Sequence, residues 1–464
     1  MKPTLPAHLG VILFATALVA TATPNFTNTG AMTVPHVYQT ATLLPDGKVL
    51  AAAGASHFES SPCIGCATYS YTLESELFSP ASGLWRKTGP LNVARMRQTA
   101  TLLTNGNVLV AGGVGNTNNG NAWGYLSSAE VYHSDIENWF VTGELNLARE
   151  FHTATLLPNG KVLVAGGDTG GLYSDTRSAE LYDSATGLWT NTGFLNVARH
   201  AHTATLLPSG KVLVTGGSGS LYVGDGLSSA ELYDSVSQGW THTYPMSTNR
   251  VFHTATLLAD GRVLIAGGLA YLNDFGNHTI YSSAEIYNPA TEIWTPTSPM
   301  NVARFGHAAT LLPNGKVLVT GGEAYDGTNQ HYAIFSAELY DSATGIWTQV
   351  GAMNDAREYH TATLLTNGVV LLAGGLGTNS VLLSTEIFDP NVLWNPPVTP
   401  AAALGIGTYS NQPAVFFPTG ANVNHLLQMC TDLNTSNWVT VSNGIPISGV
   451  IITNPPVNVF FRLY

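Results

Sequence analysis

Charged residues are scarce in this chain of 464 residues. Only 10% of the residues are Asp, Glu, Lys or Arg, and 17 Lys and Arg against 29 Asp and Glu give a formal net charge of -12. A protein that neutralises nucleic-acid phosphates or an anionic membrane surface needs clustered Lys and Arg. The scarcity therefore argues against DNA, RNA and anionic lipid surfaces as partners.

Long apolar runs are also missing, apart from one at the N-terminus. The run from Leu9 to Val19 follows the basic Lys2 and precedes Ala20-Thr21-Ala22, and it is too short to span a bilayer. This pattern is typical of a signal peptide over residues 1–22, with a mature chain that begins near Thr23. We expect an exported protein, secreted or held at the cell surface or in the periplasm, without a membrane span in its mature part.

Cysteine occurs only three times. Cys63 and Cys66 form a CxxC, and Cys430 stands alone near the C-terminus. No second CxxC or clustered pair of histidines completes a zinc site, so we expect neither a metal nor another cofactor. In an oxidising compartment, a local disulfide between Cys63 and Cys66 that fixes a long loop is the simpler interpretation. Cys430 is expected to be a small, buried apolar residue.

One sequence segment is repeated seven times along the chain. It reads AREFHTATLLPNGKVLVAGG from Ala148 to Gly167, and only the first copy breaks the GG pair, with Ala53 in place of the first glycine. A regular pitch, here 50 to 59 residues, is typical of a repeat architecture. The last glycines of the seven copies are Gly54, Gly113, Gly167, Gly217, Gly268, Gly322 and Gly375.

Each repeat contains four runs of strand length bounded by turn residues, spelled HTATLL, KVLVAGG, SAELYD and GLWT in the third copy. Turns such as Pro-Asn-Gly separate the first two runs and are typical of tight hairpins. The runs are mostly apolar, which favours sheets covered on both faces. Seven such sheets can cover both faces only by packing on neighbours around a closed ring. The sequence therefore predicts an all-β fold, a seven-bladed β-propeller.

The positions shared by the copies match a known repeat. A GG pair, then Glu180 and Tyr182, then Trp189 and the Ala-Arg that opens the next copy together resemble the kelch repeat. The resemblance covers residues 25–396 and implies a kelch-type propeller, similar to the central domain of galactose oxidase and to secreted bacterial proteins of this type. It leaves the function open, because propellers support many functions.

The two ends of the repeat region are less defined. Either an outer strand from Phe26 to Met32 closes the ring, or Trp394 fills that place, and the sequence does not decide between them. A Pro/Ala-rich linker is expected at 397–404. Residues 405–464 contain strand-like runs without kelch positions, which predict a small β-sandwich-like C-terminal domain of unknown role.

The segments after the GG pairs differ in length and sequence between copies. In an up-and-down blade these loops share one face with the connections that lead into the first strands. They are rich in Tyr, Trp, Asn and Asp, which suits sugar recognition, and variable loops on a rigid scaffold often bind ligands. We expect a monomeric scaffold that binds a carbohydrate or a protein, with loops that are only solvated as the alternative. The candidate ligand-binding residues are Trp123, Tyr125, Tyr173, Tyr222, Tyr271, Asp274, Tyr325 and Asp326.

Six arginines and seven third-strand glutamates also recur around the ring. An unpaired charge repeated in this way would be costly, so the pattern predicts buried structural pairs. These include Arg149 with Glu180, Arg199 with Glu231 and Arg304 with Glu338. The recurring histidines are expected to hydrogen-bond between strands, because blades hold them too far apart to bind one metal ion. They are His152, His202, His253, His307 and His360, with Gln39 and Gln98 at the same position.

A sugar-acting enzyme is the alternative. The first copy resembles the copper-bearing blade of galactose oxidase, in which a Tyr-His pair precedes a hairpin; Tyr38 matches the tyrosine, but Gln39 replaces the histidine. Glutamine is a poor copper ligand compared with the imidazole of histidine. Tyr359-His360 repeats the Tyr-His pair, so an oxidase activity can still be tested. Kelch-type sugar mutarotases are a second enzyme precedent, but no residue of this sequence points to that activity in particular. No catalytic motif is found, so the sequence favours a non-catalytic protein.

Overall fold

The structure is a computed structural model. It describes residues 25–59, 68–117, 122–171, 174–219, 226–271, 278–325, 331–378 and 380–392, and six strands between residues 405 and 463. The described residues belong to two units, Pro24–Trp394 and a C-terminal unit. Every regular element described is a β-strand, which confirms the predicted all-β class. No helix in the described part of the chain is long and apolar enough to cross a membrane.

The described part of the first unit contains seven four-stranded antiparallel sheets. We number them along the chain and name their strands first to fourth in the order of hydrogen bonding. The strands of sheets 1 to 4 are Thr40–Leu43, Val49–Ala52, Ser75–Ser79 and Leu84–Lys87; Thr99–Leu102, Val108–Ala111, Ala129–His133 and Asn138–Val141; Thr153–Leu156, Val162–Ala165, Ala179–Asp183 and Leu188–Asn191; and Thr203–Leu206, Val212–Thr215, Ala230–Asp234 and Gly239–Thr243. Those of sheets 5 to 7 are Thr254–Leu257, Val263–Ala266, Ala284–Asn288 and Ile293–Thr297; Ala308–Leu311, Val317–Thr320, Ala337–Asp341 and Ile346–Val350; and Thr361–Leu364, Val370–Ala373, Thr385–Phe388 and the N-terminal Phe26–Asn28.

The first strands of neighbouring sheets contact one another in a closed cycle, from sheet 1 through to sheet 7 and back to sheet 1. The first strands therefore surround a central axis, and the fourth strands lie at the outer rim. This closed ring of sheets is the predicted propeller. It places the connections into the first strands around one mouth of the axis.

Aromatic pairs join each sheet to its neighbour. In sheet 3 the rings of Tyr182 and Trp189 lie 5.0 Å apart, and both pack with Leu103 and Leu109 of sheet 2. The indole Nε1 of Trp189 donates to the carbonyl oxygen of Gly143, 2.8 Å away, at the end of the preceding sheet. A half-buried indole N–H needs such a partner. The repeated Tyr and Trp are thus residues of the interface between blades.

The GG pairs have a steric cause. Gly166 and Gly167 have φ angles of 63° and 111°. A Cβ on Gly167 would lie 2.8 Å from the carbonyl oxygen of Glu150, so the connection into the first strand leaves room only for glycine. Ala53, at the same turn of sheet 1, takes the left-handed conformation with φ of 62° in spite of its side chain.

The N-terminal segment closes the ring. Phe26–Asn28 pairs antiparallel with the third strand of sheet 7, and the buried rings of Phe26 and Phe388 lie 5.0 Å apart. The chain then reaches sheet 1, where the backbone N–H groups of Thr33 and Val34 donate to the Glu76 carboxylate. The first of the two closure devices is therefore present; Trp394 lies outside the described residues.

Further strands lie outside the seven sheets. Those in the second-to-third-strand loops and beside them are Ala55–Glu59 with Thr68–Tyr71, Arg95–Met96 with Val114–Thr117 and Ala122–Tyr125, Leu269–Tyr271 with His278–Ile280, and Glu323–Tyr325 with His331–Ala333. The C-terminal unit has two three-stranded sheets, Gly405–Tyr409, Gln412–Phe416 and Gly449–Ile451, and Val439–Asn443, Leu426–Cys430 and Phe460–Leu463. The sandwich packing of this unit stays a prediction. The predicted signal peptide, the Cys63 to Cys66 disulfide and the linker at 397–404 lie outside the described residues.

Candidate functional site

Each recurring arginine holds the two ends of a variable loop together. Arg149 Nη1 donates to the carbonyl oxygens of Gly166 and Ser178, at 2.7 and 3.1 Å, where the loop of sheet 3 begins and ends. Its Nη2 donates to Glu180 Oε1 at 2.7 Å. Both charged side chains are buried. The same arrangement recurs at Arg95 with Glu130, Arg199 with Glu231, Arg250 with Glu285, Arg304 with Glu338 and Arg357 with Glu386.

The glutamate partner in turn fixes the connection between sheets. Glu180 accepts the backbone N–H groups of Asn146 and Leu147 and the amide of Asn146, at 2.7 to 3.3 Å. In sheet 1 His36 takes the place of the arginine, with its Nε2 3.4 Å from Glu76 Oε1. Burial lowers the pKa of the Arg149 guanidinium, and the Glu180 charge opposes that shift. The arginines and glutamates therefore form the rigid base on which the variable loops stand.

The recurring histidines lie between blades. His152 Nε2 lies 3.0 Å from Oγ1 of Thr99 in the preceding sheet, and His202, His253, His307 and His360 make similar contacts to threonines. Burial, reinforced by the charge of Arg149, lowers the pKa of His152 to about 3. These imidazoles are therefore neutral at physiological pH.

A cavity of about 330 Å³ lies on the axis, at the mouth formed by the connections into the first strands. Two residues of each sheet line it. The inner layer consists of the histidines and Gln39 and Gln98. The outer layer, which we call the collar, consists of Tyr38, Arg97, Phe151, Ala201, Phe252, Gly306 and Tyr359. The face of the propeller that bears the collar and the variable loops is the collar face.

All seven collar residues have a left-handed backbone, with φ between 49° and 60°. This conformation is uncommon for residues with a side chain, and clusters of such residues are typical of binding sites. Backbone N–H groups of Ala201, Phe252, Gly306 and Tyr359 each donate to the preceding collar residue, at 2.9 to 3.4 Å. Among the described residues this chain of bonds runs from sheet 3 to sheet 7 and does not continue through Tyr38 and Arg97.

Aromatic rings of the collar cover the mouth. Phe252 lies 5.6 Å from Phe151 and 6.1 Å from Tyr359, and Tyr359 lies 4.5 Å from Tyr38. Small side chains make this packing possible, because a Cβ on Gly306 would lie 2.9 Å from the Tyr359 ring. At the mouth, a layer of aromatic rings therefore lies above the polar inner layer.

Arg97 is the one charged collar residue. Its guanidinium lies 4.6 Å from the ring of Phe151 and 5.0 Å from that of Tyr38, and Nη1 donates to Glu150 Oε2 at 3.2 Å. Burial opposes its charge, but Tyr38 and Glu150 outweigh burial and raise the pKa of Arg97. Arg97 is thus a permanently charged side chain that is already paired and 22% exposed.

Carboxyl groups lie near the collar at sheets 3, 6 and 7. Burial and the charge of Asp168 raise the pKa of Glu150, although Arg97 opposes them. His200 Nδ1 lies 2.5 Å from Asp175 Oδ1. On sheets 6 and 7, burial and the Glu323 carboxyl raise the pKa of Glu358 to about 10. The surroundings of the collar therefore combine aromatic rings with hydrogen-bonding carboxyl groups.

The predicted loop residues are only partly described. Tyr125 is half-buried and its hydroxyl donates to Asp168 Oδ2 at 3.1 Å, while Tyr325 is 42% exposed at the end of a hairpin strand. Trp123 and Tyr271 are described only as strand positions. Tyr173, Tyr222, Asp274 and Asp326 lie outside the described residues.

The collar itself was missed by the sequence reasoning. Its residues occupy one position of the repeated segment, directly before the recurring histidine or glutamine. That position holds Tyr, Arg, Phe, Ala, Phe, Gly and Tyr in turn, and the position before it varies as well, whereas the residues that follow the collar position hardly change. Variation at two adjacent positions inside an otherwise repeated segment is the signal that would have found it.

The residues that the oxidase resemblance assigns to copper do not fit that metal. The Nε2 of the buried Gln39 donates to the carbonyl oxygen of Ala373 at 2.7 Å. His360 Nε2 lies 2.9 Å from Thr320 Oγ1 between two blades. No group of three or more His, Cys, Asp or Glu side chains in the described ranges could hold a metal ion. His425 lies outside the residues whose side chains are described.

Comparison with known proteins supports the fold. The family model of the Kelch motif matches residues 251–301. The Kelch-like protein terF of Aspergillus terreus is 32% identical over 136 residues, 29% of this chain and 29% of that protein. Kelch-like protein 15 of Danio rerio is 28% identical over 173 residues, 35% of this chain and 28% of that protein. The chain thus spans about a third or less of the length of these relatives.

Two solved structures share the architecture. A fungal alcohol oxidase of the AA5 family, in complex with copper, aligns with a TM-score of 0.60 at 18% identity over 89% of this chain and 86% of that chain. The structure of YjhT aligns with a TM-score of 0.53 at 14% identity over 69% of this chain and 98% of that one. Identities this low show the fold alone. The Kelch motif match, the kelch-like relatives, the repeated segment and the closed ring of sheets show that the chain is a kelch-repeat β-propeller protein.

Proposed function

We propose that this protein is an exported, monomeric binding scaffold without catalytic function, and that it binds a carbohydrate on the collar face. Export is supported by the signal-peptide pattern over residues 1–22. The observation that carries the binding proposal is the collar, where aromatic rings over an axial cavity stand beside ionisable and hydrogen-bonding groups. Sugars bind by laying their apolar faces on aromatic rings while polar groups hold their hydroxyls.

The rigidity of the site supports the proposal. The Arg–Glu pairs hold the loop ends, and the backbone bonds from Ala201 to Tyr359 hold much of the collar. A preorganised site loses little conformational entropy when the ligand binds. Tyr325 and Tyr332, 42% and 43% exposed on the hairpin of sheet 6, add accessible aromatic surface beside the collar.

A glycan array with the purified mature protein tests the proposal. We expect retention on a subset of glycans, and at least a tenfold loss of affinity in Tyr325→Ala, since an aromatic ring stacked on a sugar contributes on the order of 1 kcal/mol or more. Tyr244→Ala is the matched control, because Tyr244 is 65% exposed and follows the outer strand of sheet 4.

Two results would contradict the proposal. Retention by a protein array instead of any glycan would identify a protein ligand. Stoichiometric copper, or oxidation of a primary alcohol with release of peroxide, would contradict a scaffold that only binds and would favour the oxidase alternative.

A further inference from the structure

The long and the short loops of the collar face are grouped. In sheets 1, 2, 5 and 6 the loop between the second and third strands contains a β-hairpin. The loops of sheets 3, 4 and 7 are shorter, and their described residues form isolated bridges instead. The four hairpin loops span 53–74, 112–128, 267–283 and 321–336, and the three short loops span 166–178, 216–229 and 374–384. Because the sheets follow one another around the ring, sheet 7 lies opposite sheets 3 and 4, with one pair of hairpins on each side.

Each pair of hairpins has an apolar cluster of its own. Ala55 and Val114, one from each hairpin of sheets 1 and 2, belong to one buried cluster. Leu269 of the sheet 5 hairpin and Phe305, which pairs with the sheet 6 hairpin, belong to another. Side chains packed in this way hold each hairpin beside its neighbour. The two hairpin pairs are therefore two fixed walls, which we call the first wall (sheets 1 and 2) and the second wall (sheets 5 and 6).

Two of the short loops turn back close to the collar. In sheet 7 the N–H of Gly377 donates to the carbonyl oxygen of Ser380 at 2.9 Å, and in sheet 3 the N–H of Thr169 donates to that of Ser174 at 3.2 Å. The space between the walls is therefore open over sheet 7 and, on the other side of the axis, over sheet 3. We call this space the groove. A line from one opening to the other passes over the collar.

The floor of the groove suits an uncharged ligand with apolar faces. The rings of Tyr38, Phe252 and Tyr359 lie at the axis. Arg97, the one charged collar residue, is already paired with Glu150, and the whole chain has a formal net charge of -12. An acidic polymer would meet this negative charge. A chain of neutral sugars instead offers apolar ring faces to the aromatic floor and hydroxyl groups to the polar side chains of the walls and loops.

We propose that the groove binds an internal segment of a linear, neutral polysaccharide, which enters over sheet 7, crosses the axis on the collar rings and leaves over sheet 3. This inference rests on the proposed function and names the kind of carbohydrate and the mode of binding. A groove that is open at both ends accepts a chain without requiring its end. Because the groove is straight, it fits an extended chain, which is the form that β-1,4 linkages give.

Isothermal titration calorimetry with β-1,4-linked oligosaccharides of glucose, mannose and xylose tests the inference. We expect at least one hexasaccharide to bind tenfold or more tighter than its disaccharide, because more sugar units contact the floor. The same hexasaccharide with a benzylidene group at its non-reducing end and biotin at its reducing end should bind equally well. A site that holds a chain end would lose this blocked hexasaccharide.

Two variants that obstruct the two openings provide a second test. Ser380→Trp adds bulk at the exposed turn of sheet 7, and Gly171→Trp adds it at the exposed loop of sheet 3. A Cβ at Gly171 would meet the Cβ of Ser174 at 3.8 Å, an ordinary contact, so this loop has room for a side chain. Each variant should weaken binding of the hexasaccharide at least tenfold. Ser209→Trp, at an exposed turn on the opposite face, is the matched control and should leave the affinity unchanged.

The outcomes separate this inference from the proposed function. Loss of affinity in only one of the two variants, or loss of the blocked hexasaccharide, would show that the site holds a chain end and would overturn the inference, while the carbohydrate proposal would stand. Retention of arrayed glycans without binding of any β-1,4-linked hexasaccharide would have the same meaning. Binding of no glycan at all would overturn both.

Discussion

At the scale of single residues, the recurring arginines connect stability to binding. Arg304 donates to the carbonyl oxygens of Gly321 and Ser336, which are the ends of the loop that carries Glu323 and Tyr325. The same guanidinium neutralises Glu338, and both side chains are fully buried. The scaffold and the candidate site thus depend on one side chain.

The first prediction follows from this dual role. Arg304→Met should lower the free energy of unfolding by about 3–5 kcal/mol, because it leaves Glu338 buried without its cation. It should also weaken glycan binding, because the loop ends lose their common donor. Urea unfolding and titration calorimetry measure the two effects. Arg86→Met is the matched control: Arg86 pairs with Glu137 at the surface, and its loss should cost less than about 1 kcal/mol. A loss of equal size in both variants would contradict the role of burial.

The inner layer predicts a pH dependence of stability. The pKa of His152 and of His253 is about 3 in the folded protein, because burial and the nearby arginines Arg149 and Arg250 disfavour the imidazolium. In the unfolded chain it returns to about 6.5. Between these values the unfolded state binds more protons, so the free energy of unfolding falls as the pH is lowered from 6.5 towards 3 and is constant in this respect above 6.5.

Replacement of one histidine tests this dependence. His152→Gln places at this site the residue that sheets 1 and 2 carry naturally, Gln39 and Gln98. The slope of unfolding free energy against pH in the acid range should fall by up to about 1.4 kcal/mol per pH unit. Urea titrations at several pH values measure the slope. His57→Gln, a change at an exposed histidine, should leave the slope as in the parent protein. An unchanged slope in His152→Gln would refute the explanation by the buried histidines.

At the scale of elements, the shortest outer strand has the largest topological role. Phe26–Asn28 supplies the fourth strand of sheet 7, although it comes first in the chain. The next residues make the contacts to sheet 1 that the connections between all other sheets make, including the N–H bonds to a third-strand glutamate. Sheet 7 therefore combines three strands from the last repeat with one strand from the N-terminal segment, and this pairing closes the ring.

The third prediction concerns this closure. Phe26→Ala removes a ring that is 1% exposed and packed on Phe388, and it should cost about 3–5 kcal/mol. Hydrogen exchange should increase first in Thr385–Phe388, which becomes an edge strand. Phe194→Ala removes a ring that is 66% exposed and should have little effect. Equal exchange in sheets 3 and 7 of Phe26→Ala would contradict local opening at the closure.

The fold was predictable at this scale and the candidate site was not. Sequence patterns record local conformation and burial directly. They therefore predict the seven repeats, the turn glycines and the apolar second strands, such as Val162–Ala165. The collar depends on residues such as Tyr38 and Tyr359, which are more than 300 positions apart and meet only when the ring closes. Glu358 and Glu323, whose carboxyl raises the pKa of Glu358, likewise belong to two sheets. Repetition predicts each blade, whereas the site arises from the differences between blades.

At the scale of the whole molecule, the seven described sheets form a ring that closes on itself. Every sheet from 1 to 7 contacts two neighbours, and the chain returns to its start through Phe26–Asn28. Among the residues whose side chains are described, the apolar clusters lie between consecutive sheets. The loss of any one sheet would expose two such clusters, so the ring should unfold as a single cooperative unit.

The last prediction follows from this closure. A chain that ends after Trp394 retains all seven sheets and the closing strand, so it should fold with the same urea midpoint as the mature protein and keep its glycan affinity. Its unfolding curve should lose only the contribution of the C-terminal unit, since hydrophobic burial within the ring supplies the stability of the ring. Circular dichroism and titration calorimetry on the two chains make the comparison. If the shortened chain aggregated or lost its glycan affinity while the full chain remained folded and bound the glycan, the C-terminal unit would be shown to contribute to stability or to binding.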